Sequence, residues 1–561
     1  MLWPLMEQFQ ISNFKSKIVS LFGWFGAVLT GLLLFAAFPP LEWPALAWVA
    51  LVPLLIVSAT SAPRAAFRAG FLAGMVFWLP SIVWLTRVTL VGWFFLGLYC
   101  ALFLAGFALT VSWWIARKGL CPRWGNPLMM LSIPAVWVGW EYLRATLFSG
   151  FPWNSLGASQ YANLPLIQVA EAGGVYLVSY LAVLVNAAVA LILIQYIRRQ
   201  PDEPLRMHPE LLIALFGIGL ALLYGQSALR RLPDAAATLK IAAVQVNIPQ
   251  LEKWSETWTT EINNRLRRAS LHAIEHGAPD LVVWPETVVP DFVRTSPVSQ
   301  KVVADVIRHK TSVLMGSMDF DDSGRTVKYF NSAFLFQPGG APPQTYAKRH
   351  LVLFGEYIPL ERWIPFLRVL TPVEESFTPG REAVVFQLGA KAFGVLICFE
   401  DTVAGLARDC VRAGARLLIN QTNDAWFDPS WASRQHMAQC VFRCVENRVS
   451  AVRATNTGIT CVIDRQGRIV GFLGRAAGAL PARNATHPPA TLSRSDCGLG
   501  SVAGGPDPDY LMKTVALPPA DMALTFYTRH GDVLALGCAA FTLALLAGMA
   551  WRKKFNDSAI K

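Results

Sequence analysis

Residues Phe393–Glu400 have the sequence FGVLICFE, in which a continuous apolar run leads into Cys398 and then into an acidic residue. An apolar run of this length is typical of a strand that is buried on both faces. Asp401 follows, and we expect a helix to begin near Thr402. Because a helix N-terminus stabilises a thiolate, Cys398 is a candidate nucleophile. The alternative is a small apolar core residue, which is the commoner role of a cysteine.

Short apolar runs of the same kind occur on both sides of this segment and predict further buried strands. They are Lys240–Val246, Asp280–Trp284, Ser312–Met318, Ser332–Phe336 and Arg416–Asn420. Two segments between the runs have helical patterns, namely Thr257–His276, with its apolar residues on one face, and Ser430–Val449. Strands that alternate with helices indicate an α/β domain.

The composition of the chain indicates that much of the remainder lies in a membrane. Of 561 residues, 54% are hydrophobic and only 15% are charged, whereas a soluble domain usually has about 25% charged residues. The 20 Trp and 33 Phe residues agree with this, because aromatic rings collect at membrane interfaces. The formal charge is +12, but no basic stripe has the spacing of a nucleic-acid-binding module, which argues against a nucleic-acid partner.

Eight hydrophobic segments are candidate transmembrane helices, of which the second and seventh are short. They are Val19–Phe38, Pro44–Ser58, Ala66–Leu85, Val91–Ile115, Leu128–Leu147, Val175–Ile197, Leu211–Ala228 and Asp532–Ala550. The pattern predicts a seven-helix membrane domain at residues 1–230, an α/β domain at 231–530, and a last helix with a basic tail at 531–561. Residues 475–509, rich in Pro, Gly, Ala and Ser, are expected to form a flexible loop.

Basic residues between the spans predict the orientation of the chain. If the N-terminus is cytoplasmic, nearly all of these cations lie on the cytoplasmic side, as is usual in membrane proteins. They are Lys15, Lys17, Arg64, Arg68, Arg117, Lys118, Arg123, Arg198, Arg199, Arg206, Arg552, Lys553, Lys554 and Lys561. The opposite loops contain only Arg87, with Arg144 near a helix end. The α/β domain is then outside the cytoplasm, where disulfides form, and a nucleophilic Cys398 must remain unpaired.

Two further residues have the chemistry that a nucleophilic thiol requires. Glu286 follows an apolar strand in the sequence Trp284-Pro285-Glu286, and the proline ends the strand, so the carboxylate emerges at a sheet edge where it can act as a base. Lys348 can stabilise an oxyanion or lower the pKa of a neighbouring thiol. Taken alone, each residue would more commonly be a solvated surface charge.

Taken together, these three residues resemble the Glu–Lys–Cys set of the nitrilase, or carbon–nitrogen hydrolase, superfamily. The resemblance rests on WPE at Glu286, on Lys348 followed by an apolar run and a Gly-Glu pair, and on the Cys-aromatic-Glu segment at Cys398. The sequences NDAWF at 423–427 and RATNTG at 453–458 fit the same pattern.

The surrounding hydrophobic segments narrow the resemblance from the superfamily to one family within it. Seven spans before the α/β domain and one span after it resemble the apolipoprotein N-acyltransferase family of bacterial inner membranes, over essentially the whole chain. The sequences FPWN at 151–154 and NIPQ at 247–250 are similar to that family as well.

The resemblance implies a nitrilase-like αββα sandwich on an eight-helix membrane domain, and a reaction that needs no metal or other cofactor. Glu286 would be the base, Cys398 the nucleophile that carries the acyl group as a thioester, and Lys348 an oxyanion-stabilising cation. The acyl donor would be a phospholipid, phosphatidylethanolamine, and the acceptor the α-amine of a diacylglyceryl-cysteine at the N-terminus of an apolipoprotein. The enzyme would lie in the bacterial inner membrane, with its catalytic domain in the periplasm.

The same resemblance implies roles for further residues. Glu356 would orient Lys348, and Glu400 would support the active-site turn. Trp254, Phe354 and Tyr357 are expected to line the lipid entrance. In addition, Phe399 stands where relatives often have Tyr, so a side-chain hydroxyl is missing there and only the backbone N–H remains as an oxyanion donor.

Two other functions are compatible with parts of the sequence. A membrane-tethered amidase would use the same three residues but would hydrolyse its acyl-enzyme with water. A non-catalytic scaffold or transporter would account for the many helices, but few ionisable residues lie within the spans, Glu141 being an exception.

Overall fold

The computed structural model describes residues 23–120, 126–198, 208–231, 235–473 (apart from 254, 290, 360, 362, 364–367 and 369–374), 499–500 and 510–559. In chain order its helices are α1 (Gly23–Ala37), α2 (Val52–Thr60), α3 (Pro63–Ser81), α4 (Leu90–Lys118), α5 (Pro127–Thr146), α6 (Leu164–Ile167), α7 (Ala170–Arg198), α8 (Pro209–Arg230), α9 (Glu256–Gly277), α10 (Pro297–Ile307), α11 (Ala404–Arg412), α12 (Ala432–Asn447), α13 (Phe526–His530) and α14 (Val533–Ala559).

Helical structure occurs at all eight predicted spans, but the prediction of eight full spans is confirmed only in part. Among the described residues, four helices are long and apolar enough to cross a membrane: α4, α7, α8 and α14. The second predicted span is a 3-10 helix at Pro44–Trp48 followed by the nine-residue α2. The third, α3, begins with a turn that contains Arg64, and this lowers its hydropathy.

Small residues allow the apolar helices to pack closely. A Cβ atom at Gly74 of α3 would lie 2.6 Å from the Cα of Ala101 in α4, and one at Gly70 would lie 2.9 Å from the Cα of Ala105. Glycines four residues apart lie on one face of a helix, so α3 presents a smooth surface to α4. Between apolar helices in lipid, such close approach is a main source of association energy.

The second half of the chain forms two β-sheets. The strands in chain order are β1 (Ala237–Val244), β2 (Leu281–Val283), β3 (Ser312–Asp321), β4 (Lys328–Phe336), β5 (Gln344–Ala347), β6 (Val385–Leu388), β7 (Lys391–Ile397), β8 (Leu417–Thr422), β9 (Ser450–Thr455), β10 (Thr460–Ile463), β11 (Ile469–Leu473), β12 (Leu499–Gly500) and β13 (Tyr510–Leu517). One sheet has the order β12-β13-β1-β2-β3-β4-β5 and the other β11-β10-β9-β8-β7-β6. All six predicted strands and both predicted helices are confirmed.

The two sheets pack face to face and are covered by helices on their outer sides. Apolar side chains of both sheets, such as Ile241 of β1 and Val395 of β7, form one buried cluster between them. The outer face of the first sheet packs against α9 and α10 in a second cluster. The outer face of the second sheet packs against α11 and α12. The predicted αββα sandwich is therefore confirmed, and we call β1–β13 with α9–α12 the sandwich.

The sandwich is joined to the apolar helices through α12. Nearly every side chain of α12 is buried, including Gln435, Arg443 and Glu446. A helix buried on all sides lies between two layers, here the second sheet and the apolar helices. One continuous hydrophobic cluster connects them, with Val441 of α12 and Val178 of α7 among its members.

The predicted flexible loop at 475–509 lies almost entirely outside the described residues. Its described part, Leu499–Gly500, is the short edge strand β12, which pairs antiparallel with Leu511 and Tyr510 of β13.

Candidate functional site

Three strand ends bring the predicted reactive residues to one edge of the sandwich. Glu286 follows β2 and Lys348 follows β5, both in the first sheet, and Cys398 follows β7 in the second sheet. Two of the turns have left-handed backbone, with φ of 37° at Thr287 and 52° at Cys398. Such conformations are costly for residues other than glycine and concentrate at functional sites.

Lys348 lies between two carboxylates in the interior of the site. Its Nζ is 2.8 Å from Glu356 Oε1 and 3.5 Å from Glu286 Oε1, and the lysine is only 1% exposed. Asn331 Nδ2 donates to the same two oxygens, at 2.8 Å to Glu286 and 3.0 Å to Glu356. Burial alone would lower the pKa of Lys348, but the Glu356 and Glu286 carboxylates outweigh it and raise the pKa, so the side chain remains a cation.

Burial and a neighbouring carboxylate hold the pKa of the Cys398 thiol above its ordinary value, so its position before a helix does not by itself produce a thiolate. Burial raises the pKa of this thiol, the Glu286 carboxylate raises it further, and Lys348 lowers it only in part. The helix that begins at Cys398 is a five-residue 3-10 turn, Cys398–Thr402, and its small dipole does not balance the loss of hydration. Two carboxylates act on the pKa of the thiol, and Glu286 raises it more than Asp424 does.

The described cysteines have free thiols, and Cys398 is among them, so the prediction that it is unpaired is confirmed.

Glu400 connects the turn after Cys398 to the segment after Lys348. Its Oε1 accepts hydrogen bonds from the backbone N–H of Arg349 at 2.7 Å and of His350 at 3.0 Å. Its Oε2 accepts from the N–H of Ile397 at 2.8 Å, and the Tyr346 hydroxyl donates to the carboxylate at 2.9 Å. Burial raises the pKa of Glu400, and these N–H groups act against that shift. The carboxylate thus positions Lys348 and Cys398 relative to each other.

We expect Glu400→Gln to slow acyl transfer about 10- to 100-fold. The glutamine amide would place its own N–H groups opposite backbone N–H groups that need an acceptor. The segments that follow Lys348 and Cys398 would then move apart. The free energy of unfolding should fall by about 1–3 kcal/mol. Asp409→Asn is the matched control, because Asp409 pairs with Arg349 at 3.3 Å in a partly exposed ion pair worth less than about 1 kcal/mol. Equal transfer rates in both variants would contradict this role of Glu400.

Glu356 also shapes the loop that is expected to meet lipid. Its Oε2 accepts the N–H of Val352 at 2.8 Å, and the N–H of Phe354 donates to the Tyr357 carbonyl at 2.9 Å. Phe354 has φ of 60° and is 39% exposed, whereas Tyr357 is half-buried. The third residue expected at the lipid entrance, Trp254, lies outside the described residues.

Two site residues are not evident from the sequence. One is Asn331, which follows no motif. The other is Lys253, which is 1% exposed and donates to Thr287 Oγ1 at 2.8 Å and to the Glu286 carbonyl at 3.4 Å. Burial lowers the pKa of Lys253 to about 8, against the influence of Glu286 and Cys398. In sequence Lys253-Trp254 is only a further similarity to the family, and the fold is needed to place the lysine beneath the turn that presents Glu286.

A buried ionic network lies behind the turn of Cys398. His436 Nε2 lies 2.8 Å from Asp401 Oδ1, and His436 Nδ1 lies 3.1 Å from Asp424 Oδ1. Arg453 pairs with Asp401 from the other side. Burial by itself would lower the pKa of His436, but Asp401 and Asp424 raise it to about 9. The network therefore fixes the residues that follow Cys398, with a cationic His436 at neutral pH.

Residues 240–480, which form most of the αββα sandwich, match the model of the Carbon-nitrogen hydrolase family. The preceding residues 30–188 match the model of the Apolipoprotein N-acyltransferase N-terminal domain. The chain is 37% identical over 539 residues to the apolipoprotein N-acyltransferase of Geobacter metallireducens, covering 94% of this chain and 95% of the relative. The chain therefore belongs to the apolipoprotein N-acyltransferase family.

Two further proteins are similar to this chain. The apolipoprotein N-acyltransferase of Gloeobacter violaceus is 33% identical, covering 81% of this chain and 86% of the relative. Among solved structures, Saccharomyces cerevisiae Nit3, a member of the nitrilase superfamily, is similar to 50% of this chain over 91% of its own length, at 17% identity and a TM-score of 0.35.

Proposed function

We propose that this protein transfers a fatty acyl group from a membrane phospholipid, by way of a thioester on Cys398, to the α-amine of an N-terminal diacylglyceryl-cysteine of apolipoproteins. The observation that carries the proposal is the Lys348 cation held between Glu286 and Glu356 beside a protonated thiol, in a chain that matches a named apolipoprotein N-acyltransferase over 94% of its length. This arrangement provides a base, a nucleophile and an oxyanion-stabilising cation without a metal.

In the first half-reaction Glu286 accepts the thiol proton as Cys398 Sγ attacks the carbonyl carbon of a phospholipid ester. The oxyanion that forms is stabilised by Lys348 and by the backbone N–H of Phe399. The tetrahedral intermediate then collapses, the carbon–oxygen bond to the glycerol breaks, and the proton on Glu286 passes to the leaving oxygen. The products are a lysophospholipid and a thioester on Cys398.

In the second half-reaction the acceptor amine attacks the thioester carbonyl and Glu286 accepts a proton from the nitrogen. The same oxyanion donors stabilise the second tetrahedral intermediate. When the carbon–sulfur bond breaks, the sulfur recovers a proton from Glu286, and the product is an amide. The raised pKa of Cys398 means that a proton moves on and off the thiol in each cycle, so both halves depend on Glu286.

The contacts of α12 support the predicted topology. Gln435 Nε2 donates to the Pro39 and Ser81 carbonyls, at the C-terminal ends of α1 and α3, and Glu446 Oε1 accepts from the N–H of Val175 near the start of α7. These helix ends lie on the same side as the sandwich, which is what a chain with alternating spans produces. We therefore propose that all eight segments predicted from the sequence cross the membrane, and not only the four long apolar helices.

The predicted cytoplasmic cations agree with this arrangement. Arg64 is in the first turn of α3, and Arg117 and Lys118 are in the last turn of α4, at helix ends away from the sandwich. With these ends in the cytoplasm, the sandwich lies in the periplasm. The proposed domains are residues 1–230, 231–530 and 531–561.

A membrane position suits both substrates. Each buried CH₂ group of an acyl chain is worth about 0.8 kcal/mol, so neither a phospholipid nor a diacylated lipoprotein leaves the bilayer readily. The exposed Phe354, with Tyr357 and Trp254, would line the path by which acyl chains approach Cys398. We propose phosphatidylethanolamine as the donor.

The test is to incubate the purified full-length protein with phosphatidylethanolamine and a diacylated lipopeptide, and to measure acylated protein and products by mass spectrometry. We expect a hydroxylamine-sensitive acyl adduct on Cys398, lysophospholipid, and N-acylated peptide in amounts equal to the lysophospholipid. Release of free fatty acid without N-acylated peptide would identify a membrane-tethered amidase instead.

A further inference from the structure

The ring of Phe399, whose peptide N–H is the proposed oxyanion donor, belongs to a stack that reaches into the apolar helices. The stack contains His350, Phe399, Trp153 and Phe151. The Phe399 and Trp153 rings are nearly parallel, with an interplanar angle of 2° and centroids 6.1 Å apart. His350 covers Phe399 at 5.9 Å and 21°, and Phe151 lies 6.3 Å from Phe399 at 13°. These are offset-stacked geometries, which aromatic pairs prefer.

Trp153 is itself rigidly fixed, and by residues of both parts of the protein. It is 3% exposed, its carbonyl accepts from Arg144 Nη1 at 2.7 Å, and its Nε1 donates to Gln435 Oε1 of α12 at 2.8 Å. Its ring also lies 5.4 Å from that of His436 in the ionic network. Because its backbone carbonyl, ring face and ring nitrogen all make contacts, the Trp153 side chain is held in a single orientation.

The peptide between Cys398 and Phe399 is therefore positioned from two directions. Its carbonyl accepts a hydrogen bond from Asn420 Nδ2 at 2.9 Å. The adjoining Phe399 ring stacks with the rings of both Trp153 and His350. The peptide follows a strained residue, Cys398, with φ of 52°, and strained backbone persists only where its surroundings determine it.

We propose that Trp153, a residue of the apolar helical region, is a positioning residue for the oxyanion-binding peptide of Cys398 and Phe399. The inference rests on the proposed function, in which the Phe399 N–H stabilises the tetrahedral intermediates. It means that the helical region completes the active site in addition to anchoring it. The FPWN sequence at 151–154 then has a catalytic consequence that the sequence by itself does not reveal.

The test compares two reactions of Cys398 in purified full-length protein. Acylation by phosphatidylethanolamine passes through an oxyanion, whereas alkylation by iodoacetamide requires the thiolate but no oxyanion site. For Trp153→Leu we expect acylation at saturating lipid to fall about 10- to 100-fold, with little change in the lipid concentration for half-maximal rate. Alkylation should stay within about twofold of the wild-type rate over the same pH range.

Two further variants separate the effect of the aromatic stack from that of the hydrogen bond between Trp153 and Gln435. Trp153→Phe retains an aromatic face and should acylate within about threefold of wild type. Trp84→Phe is the matched control, because Trp84 Nε1 donates to the same Gln435 Oε1 at 3.0 Å and its ring does not stack on Phe399. It too should remain within about threefold.

Four outcomes would overturn the inference. Trp153→Leu could acylate like wild type, or it could lose alkylation as much as acylation, which would indicate general disruption. Trp84→Phe could fall as far as Trp153→Leu, which would assign the effect to Gln435. Absence of any acyl adduct in the wild type would remove the proposed function and this inference together, whereas the first three outcomes leave the proposed function intact.

Discussion

Replacing Cys398 with alanine will abolish acyl transfer. We expect the rate of N-acylated lipopeptide formation to fall at least about 10⁴-fold, because the substitution removes the atom that carries the acyl group. No acyl adduct should be found on the variant by intact-protein mass spectrometry after incubation with phosphatidylethanolamine. The fold should survive, since Cys398 is only half-buried and lies in a turn.

Cys410→Ala is the control for this prediction. Cys410 is a buried free thiol in α11 of the same domain, and burial raises its pKa to about 12. The control should lose no more than about 1–2 kcal/mol in free energy of unfolding and should keep its transfer activity. If Cys398→Ala retained more than a few per cent of wild-type transfer while adducts formed elsewhere, the assignment of the nucleophile would be wrong.

Substitution of Lys348 by methionine should impair both stability and chemistry. The cation is 2.8 Å from Glu356 and 3.5 Å from Glu286, and its loss leaves two carboxylates facing each other in the interior. Breaking a buried ion pair by removing one partner typically costs about 3–5 kcal/mol. Transfer should fall at least about 10³-fold, because the principal charge that stabilises the oxyanion is lost. Thermal unfolding in detergent and the lipopeptide assay measure the two effects.

The double variant Lys348→Met, Glu356→Gln separates the two effects. Neutralising Glu356 removes part of the carboxylate repulsion, so stability should partly recover while transfer stays low. Lys391→Met is the control for loss of a lysine ion pair, because its pair with Asp280 is partly exposed and contributes less than about 1 kcal/mol. Recovery of transfer to within tenfold of wild type in the double variant would show that Lys348 acts only as a structural counter-charge.

The secondary structure around the site was largely predictable because it depends on local patterns. Continuous apolar runs identified β7 and β8, and the spacing of apolar residues identified α9 and α12. The missed strands, such as β5 and β10, are four residues long and carry polar residues, so their extended conformation comes from pairing with neighbours. The hydrophobic pattern did not reveal where a predicted span is broken, as at Pro44–Trp48 and α2.

The electrostatics of the site were less predictable than its residues. The position of Cys398 before a helix favours a thiolate, but burial and Glu286 raise the pKa of the thiol. Desolvation depends on every group that surrounds an atom, and most of these groups are distant in sequence. For the same reason the sequence does not predict that Lys253 and Asn331 are buried beside Glu286.

From the sequence alone follow the apolar helices and the alternating strands and helices of the sandwich, because each depends on residues close together in the chain. Glu286, Lys348 and Cys398 became reactive candidates as a set, through the surrounding motifs that resemble the nitrilase superfamily. The tertiary structure decided what those candidates can do. Long-range packing set the protonation of the thiol, tied the segments of Lys348 and Cys398 together through Glu400, and brought Trp153 of the helical region against Phe399. Such contacts join residues far apart in the chain, such as Glu400 and Arg349, which are 51 positions apart, and no local pattern encodes them.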